Sequence, residues 1–349
     1  MDNEQIIIKE SNHWYDYQGT PVSHVPRKDP LYEGLCPKCR NPIATTSKIH
    51  TCKRCKVKID VSSYELNTLR ETTLRDAKHF GLFKSISKMA TYGESPFEFT
   101  AWVTRRLVMA SVKATKKYYG QSDEVIFANV NRAIQEAKEE YANLGTDGHA
   151  AIQLAMEGMP YEGDNPVYLR CIDEIQAWEI SMGVTGPIRE TPHCDPIKLG
   201  LGGCIDFTCE SPRIINDYKF KFQTDPNSKA KSTFDKIKGG ARGILKSAIK
   251  QIAGYGGISV WPDRAFITVI RGDVWHPDAG ETLFIELTKD ELAWGIRTMQ
   301  KNVEAFYEDA RWDPRIMFHK GLCKTRAQIM EGIEDVRTGK HDCLIEIRD

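Results

Sequence analysis

The chain has 349 residues, 41% of them hydrophobic and 28% charged, a composition that supports a packed core and excludes a disordered or fibrous chain. Basic and acidic residues both number 48, so net charge gives no sign of a nucleic-acid partner and any basic surface must be local. No apolar run approaches the roughly 20 residues of a membrane helix, and the polar start Met1-Asp2-Asn3-Glu4-Gln5 is unlike a signal peptide; a cytoplasmic protein with no membrane partner and reduced cysteines is expected.

Taken in chain order, residues 1–30 carry Pro21, Pro26 and Pro30 and are expected to form an irregular arm. Residues 31–60 hold four paired cysteines. A helical subdomain is expected over 61–120, with helices over about 65–89 and 101–118, where apolar residues recur at helical spacing. An α/β core follows over 121–310, and residues 311–349 form a C-terminal extension. Within the core, one helix is expected from about Asp123 to Ala142. Another follows, capped by Thr146 or Asp147, with His149 in its first turn. Residues 171–181 look helical. Gly202–Thr208 and Ile214–Phe220 are short β runs around a Pro-containing turn. A basic helix is expected from about Ser232 to Ala253, then strands Ala265–Ile270 and Thr282–Leu287. A last helix runs from Lys289 to Asp309, with Asp290 and Glu291 in its first turn, where the helix dipole favours acids. This order of helices and strands describes an α/β or α+β core, a mixed central sheet flanked by helices.

Cys36-Pro37-Lys38-Cys39 and Cys52-Lys53-Arg54-Cys55 are two Cys-x-x-Cys knuckles twelve residues apart. Four thiolates at this spacing suit a closed tetrahedral Zn²⁺ site, a zinc ribbon whose folding the metal would drive. Between Cys36 and Lys58 the chain carries Lys38, Arg40, Lys48, Lys53, Arg54, Lys56 and Lys58 and no acid. Lys53 and Arg54 are therefore candidate contacts to a phosphate backbone; the alternative is a ribbon that only packs on the core or binds protein. His319, Cys323, His341 and Cys343 could form a second zinc site, although their spacing is irregular.

The most informative segment is Gly202-Gly203-Cys204-Ile205-Asp206-Phe207 followed by Ile214-Ile215-Asn216-Asp217-Tyr218-Lys219-Phe220. A turn over Glu210–Arg213 sets Cys209 against Ile214 and Asp206 against Asp217. Alternation then gathers Asp206, Asp217 and Lys219 on one face and Ile205, Phe207, Tyr218 and Phe220 on the core face. Opposed carboxylates repel unless a cation or proton intervenes. Their hard oxygens suit Mg²⁺ or Mn²⁺, which activates water and polarises a phosphoryl oxygen; an adjacent lysine can offset the developing charge. The bland alternative is an ordinary hairpin with a solvated acidic face.

Four blocks occur in order: Gly145-Thr146-Asp147-Gly148-His149, Gly203-Cys204-Ile205-Asp206, Asp217-Tyr218-Lys219 and Gln251-Ile252-Ala253-Gly254-Tyr255. Over about residues 120–308 this pattern resembles the RecB-like branch of the PD-(D/E)XK nucleases, which includes the CRISPR adaptation nucleases and, more distantly, lambda-type exonucleases. The resemblance implies a restriction-endonuclease-like core and a Mg²⁺- or Mn²⁺-dependent deoxyribonuclease. It implies His149, Asp206 and Asp217 as metal ligands with the Tyr218 backbone carbonyl, Lys219 as the catalytic lysine, and Gln251 and Tyr255 beside the phosphate. Glu190 precedes the hairpin and is a further candidate; a solvated glutamate is its alternative. Some members hold an iron–sulfur cluster through a tight C-terminal cysteine group; Cys323 and Cys343 stand far apart, and no cluster is expected.

Lys229, Lys231, Lys236, Lys238, Arg242, Lys246 and Lys250 follow the hairpin against one acid, Asp235, and would hold DNA at the site unless they simply face solvent. The resemblance favours an exonuclease that processes DNA ends in recombination, repair or phage replication. A structure-specific or nicking endonuclease is the first rival, and a non-catalytic zinc-ribbon DNA-binding protein on a nuclease scaffold the second. The chain lacks a P-loop motif, so a helicase or a single-strand annealing or binding protein would have to be a separate partner.

Overall fold

Strand pairing and helix capping account for most of the elements in a computed structural model that describes residues 14–39, 42–93, 108, 111–112, 114–222 and 231–331. Arg40, Lys229, His341, Cys343, the first thirteen residues and most of the helix expected over 101–118 lie outside the described residues. The chain divides into two compact units. One is built from residues 1–86, 192–203 and 307–349, the other from 87–191 and 204–306.

In the first unit, strands β1 (Trp14–Tyr15), β2 (His24–Leu35), β3 (Pro42–Thr45), β4 (Ile49–Thr51), β5 (Lys58–Asp60) and β6 (Glu65–Glu71) precede helix α1 (Leu74–Phe80) and strand β7 (Phe83–Ser85). The arm expected to be irregular therefore contains β1 and the start of β2. The prolines of β2 stand at and within the irregularity in its pairing with β6, between Pro26 and Leu31, the kind of place where strands accept proline. β3, β2 and β6 form an antiparallel sheet and β4–β5 a separate hairpin. β1 pairs with β7, and β7 runs parallel to Leu201 and Gly202.

The helix expected over 65–89 is instead β6, α1, β7 and α2 (Ile86–Ala90). Thr73 explains the break. Its side chain accepts the Asp76 N–H, while Asp76 accepts the Thr73 N–H, a capping box that starts the helix at Leu74. Gly81, at φ +69°, ends it in a left-handed cap that glycine adopts without strain.

The second unit contains α3 (Asp123–Met156), α4 (Pro166–Ser181), the first half of strand β8 (Ile188–Asp195), most of strand β9 (Leu201–Glu210), then β10 (Arg213–Lys221), α5 (Thr233–Lys238), α6 (Lys246–Ile258), β11 (Arg264–Arg271), β12 (Thr282–Glu286) and nearly all of α7 (Lys289–Asp309). Short helices α8 (Pro314–His319) and α9 (Arg326–Met330) belong to the first unit. β9 and β10 are antiparallel, β10 and β11 parallel, β11 and β12 antiparallel, and β8 pairs with β9. This is the mixed, helix-flanked α/β sheet expected from the element order. One face packs Phe207, Ile214, Tyr218, Phe266 and Ile270 against Ala151 and Ile152 of α3 and Cys171, Ile172, Ile175 and Trp178 of α4. Each large side chain buried there contributes about 1.5–3 kcal/mol. α6 packs against β10 and β11.

Two helix boundaries differ from expectation. α3 runs unbroken through Leu144–Gly148, so no cap precedes His149, which stands in the helix interior. Packing outweighs the roughly 1 kcal/mol that each of Gly145 and Gly148 costs a helix. The basic helix expected over 232–253 is split into α5, a 3-10 turn (Arg242–Leu245) and α6, because Gly239-Gly240 intervenes and Gly240 takes φ +93°, which only glycine adopts freely.

Candidate active site

β9 and β10 hold a regular ladder from Glu210–Arg213 to Phe207–Asn216, with Cys209 opposite Ile214. Beyond it, the Asp206 carboxylate takes the place of a backbone acceptor: its Oδ2 accepts the Tyr218 N–H at 2.7 Å. His149 comes to this point from α3. Its Nδ1 lies 3.5 Å from Asp206 Oδ2 and 3.6 Å from Glu190 Oε1. Gly148 permits the approach, since a Cβ there would stand 2.4 Å from the Phe220 ring. Glu190 reaches the group from β8 with a backbone φ of +46°, a left-handed conformation that a non-glycine residue holds at a cost and that often accompanies function. The Cys204 thiol donates to Glu190 Oε2 at 3.4 Å.

Ligand atoms of His149, Glu190 and Asp206 all lie within 4.8 Å of one another. Burial disfavours the charged imidazole, yet the Asp206 carboxylate and the Glu190 contact outweigh it and lift His149 to about 9. Burial also raises Asp206 against the pull of His149. Asp217 is fully buried. Burial lifts it to about 6, against the Lys219 ammonium and with the help of the Asp206 charge. Lys219 Nζ lies 2.6 Å from Asp217 Oδ2, while neither Asp217 oxygen has a well-directed hydrogen-bond donor among the described residues. Gathered acids that crowd and raise one another are what a cation would relieve.

Of the residues predicted from sequence, the structure thus groups His149 with Asp206 and adds Glu190, while Asp217 is paired with Lys219. Tyr218 meets Asp206 through its backbone N–H. On α6, Gln251 Nε2 donates to the Tyr255 hydroxyl at 2.7 Å, as the four-residue spacing on one helix face allows. Sequence reading did not find Cys204 as a partner of Glu190, because hydrogen bonds between a thiol and a distant carboxylate leave no pattern.

The four paired cysteines converge as well. Cys36 and Cys55 Sγ are 3.5 Å apart, Cys39 and Cys52 Sγ 3.6 Å, and all four sulfurs lie within 4.8 Å of one another. Zn–S bonds of about 2.3 Å in a tetrahedron put sulfurs about 3.8 Å apart, so the cluster has the size Zn²⁺ requires. The Cys55 N–H, directed at the Cys52 sulfur, is the main cause that brings Cys52 down to about 6; the Cys39 N–H is the main cause that lowers Cys36 below its ordinary value. Such thiols ionise readily for a metal. Lys56 turns the second knuckle at φ +58°. Lys53 and Arg54 are exposed beside it.

Of the basic run after the hairpin, Lys231, Lys236 and Lys246 are exposed. Lys238 is paired with Glu281. Arg242 binds both oxygens of Glu291 at 2.9 Å and the Glu286 carbonyl at 2.8 Å. Lys250 is buried, so it faces no solvent. Among the described residues, no helix is long and apolar enough to cross a membrane.

No family profile and no curated protein matches the sequence. Among solved structures, a phage-related exonuclease from Haemophilus somnus 129PT is similar at 16% identity and a TM-score of 0.27, over 47% of this chain and 82% of that one. An alkaline exonuclease from Laribacter hongkongensis is similar at 14% identity and a TM-score of 0.30, over 68% of this chain and 98% of that one. These likenesses are too distant to carry weight, and function has to be read from the residues.

Proposed function

We propose that this chain is a divalent-metal-dependent deoxyribonuclease with a PD-(D/E)XK-type core and a structural zinc ribbon. The observation that carries this reading is the convergence of His149, Glu190 and Asp206 at ligand distances next to the buried Asp217–Lys219 pair. One imidazole and hard carboxylate oxygens form a donor set suited to Mg²⁺ or Mn²⁺, and Asp217 adds a buried carboxylate short of donors. When bound, such a cation polarises the scissile phosphate and makes water a nucleophile near neutral pH.

The chain's own residues do the rest. Asp206 is held by the Tyr218 N–H, so its carboxylate is oriented before anything binds. Lys219 places a positive charge where phosphoryl oxygens would gain negative charge. Gln251 and Tyr255 present a linked amide and hydroxyl on α6, which packs on the strand carrying Asp217 and Lys219. Exposed Lys231, Lys236 and Lys246, with Lys53 and Arg54 on the ribbon, supply candidate phosphate contacts. The four cysteines would hold Zn²⁺, which has no redox chemistry and would close the ribbon. Within this function, end-directed cleavage is favoured by the four sequence blocks and their resemblance to RecB-like nucleases.

The test is digestion of end-labelled linear DNA beside the same DNA closed into a circle, with Mn²⁺ and with EDTA, using the wild type and Lys219→Ala. Metal-dependent loss of the linear form alone, absent in the variant, is expected. Cutting of the circle would make the protein an endonuclease. Retention of both DNAs uncut would leave a DNA-binding scaffold.

A further inference from the structure

β10 does not end at Lys219. Side chains alternate along a strand, so Asp217, Lys219 and Lys221 share one face. Lys219 faces Asp217 at 2.6 Å, and their charges cancel. Lys221, half-buried, then supplies the excess positive charge on this face. Among the described residues it makes no ion pair. Its register partner on the parallel strand, Arg271, is committed elsewhere: its guanidinium binds Asp235 at 2.5 Å and lies 3.5 Å from Glu281, over the Phe234 ring. The Lys221 backbone is fixed, because its carbonyl accepts the Gly272 N–H at 2.9 Å. Burial, reinforced by Lys219, holds the Lys221 ammonium below its ordinary value, with Asp217 as the opposing influence, so the three groups feel one another. A cation placed this way costs free energy until an anion meets it.

We propose that Lys221 is a second phosphate contact of the site, holding the phosphate next to the scissile one along the nucleic-acid strand. This rests on the nuclease reading above. Residues i and i+2 of a strand stand about 6.7 Å apart, on the scale of one nucleotide step of the backbone. Lys219 and Lys221 are thus spaced to meet successive phosphates, the first at the reacting group and the second as an anchor that sets register. Phosphate contacts of this kind position a substrate without reading its sequence.

The experiment uses the full chain and three variants, Lys221→Gln, Lys221→Arg and Lys219→Ala. Two substrates are cleaved with Mn²⁺: a short end-labelled DNA, and bis(p-nitrophenyl) phosphate, which has a single phosphate and no neighbour. Lys221→Gln is expected to lower kcat/KM on DNA mainly through KM, and by roughly tenfold more than on the small diester, while Lys219→Ala suffers on both. With Ca²⁺ in place of Mn²⁺, the slope of log affinity against log salt is expected to fall by about 0.7–0.9, the loss of one phosphate contact. Lys221→Arg, which keeps the charge, is expected to restore most of the difference. Equal losses of Lys221→Gln on both substrates, or an unchanged salt slope in a variant with wild-type melting, would overturn the proposal. If the wild type cleaves neither substrate, the nuclease reading fails, and the salt slope still decides whether Lys221 contacts phosphate.

Discussion

One oxygen of Asp206 serves two partners: Oδ2 accepts the Tyr218 N–H at 2.7 Å and lies 3.5 Å from His149 Nδ1. The first contact is structural and needs only an acceptor; the second needs charge. Asp206→Asn separates them, because an amide oxygen can still accept the Tyr218 N–H. The variant is expected to melt within about 1 kcal/mol of the wild type, the size of one net hydrogen bond. Its Mn²⁺ affinity by calorimetry should fall by at least the roughly 10–100-fold that loss of an outer partner costs a metal site. Unchanged Mn²⁺ binding in the folded variant would remove Asp206 from the ligand set.

Glu190 combines a left-handed backbone, φ +46°, with a place in the ligand group. Glu190→Ala and Glu190→Gly should therefore lose Mn²⁺ affinity alike but differ in stability. The left-handed conformation costs a residue with a Cβ about 1–2 kcal/mol, which glycine escapes. Part of that gain is returned as unfolded-chain entropy. The glycine variant is expected to be the more stable of the two, by roughly 0.5–1 kcal/mol in urea denaturation. A glycine variant less stable than the alanine variant would mean that the conformation carries no strain, because only the entropy cost of glycine would then remain.

Around the four cysteines, the buried hydrophobic residues among those described are Cys36, Ile43, Cys52, Ile59 and Val61, with Tyr32, Val57 and Tyr64 partly buried against them. Two of the five are themselves proposed ligands, so little apolar burial remains to support this segment without metal. Cys52→Ser is expected to lose bound zinc, measured by mercurial release against a colorimetric indicator. Hydrogen-exchange protection should vanish over β3 to β5 and persist in β10 and β11. Wild-type protection over β3 to β5 in a zinc-free variant would show that the segment folds by packing alone.

Arg70 holds both oxygens of Asp76 at 2.6 Å, and Asp76 completes the cap of α1. Burial raises this carboxyl, but Arg70 and Thr73 outweigh it and bring it below its ordinary value of 3.8. The folded carboxyl thus holds its proton less tightly than the unfolded one. The contact stabilises above pH 3.8, and its contribution fades as pH falls through the lowered folded value. Asp76→Asn is expected to cost about 1 kcal/mol at pH 7, with the gap to the wild type closing in melts taken below pH 4. A gap that stays constant across this range would mean that the ion pair contributes nothing.

Much of the candidate site was legible because its signals are local. Two Cys-x-x-Cys knuckles bring four thiols together over a short stretch of chain. A two-residue side-chain period separates Asp206, Asp217 and Lys219 from Ile205, Phe207 and Tyr218, and turn length alone sets Cys209 against Ile214. Local propensity misled where distant pairing competed with it. Glu65–Glu71 has apolar residues at helical spacing, yet β2 offers its backbone a ladder and Thr73 offers the following helix a better start. Tertiary structure alone decided that α3 passes unbroken through two glycines to bring His149 to Asp206. It also decided that Glu190 bends into the group in a left-handed conformation, and that Lys238 and Arg242 meet Glu281 and Glu291. Each of these depends on contacts between residues far apart in the chain, whose energies enter only after the strands and helices have packed.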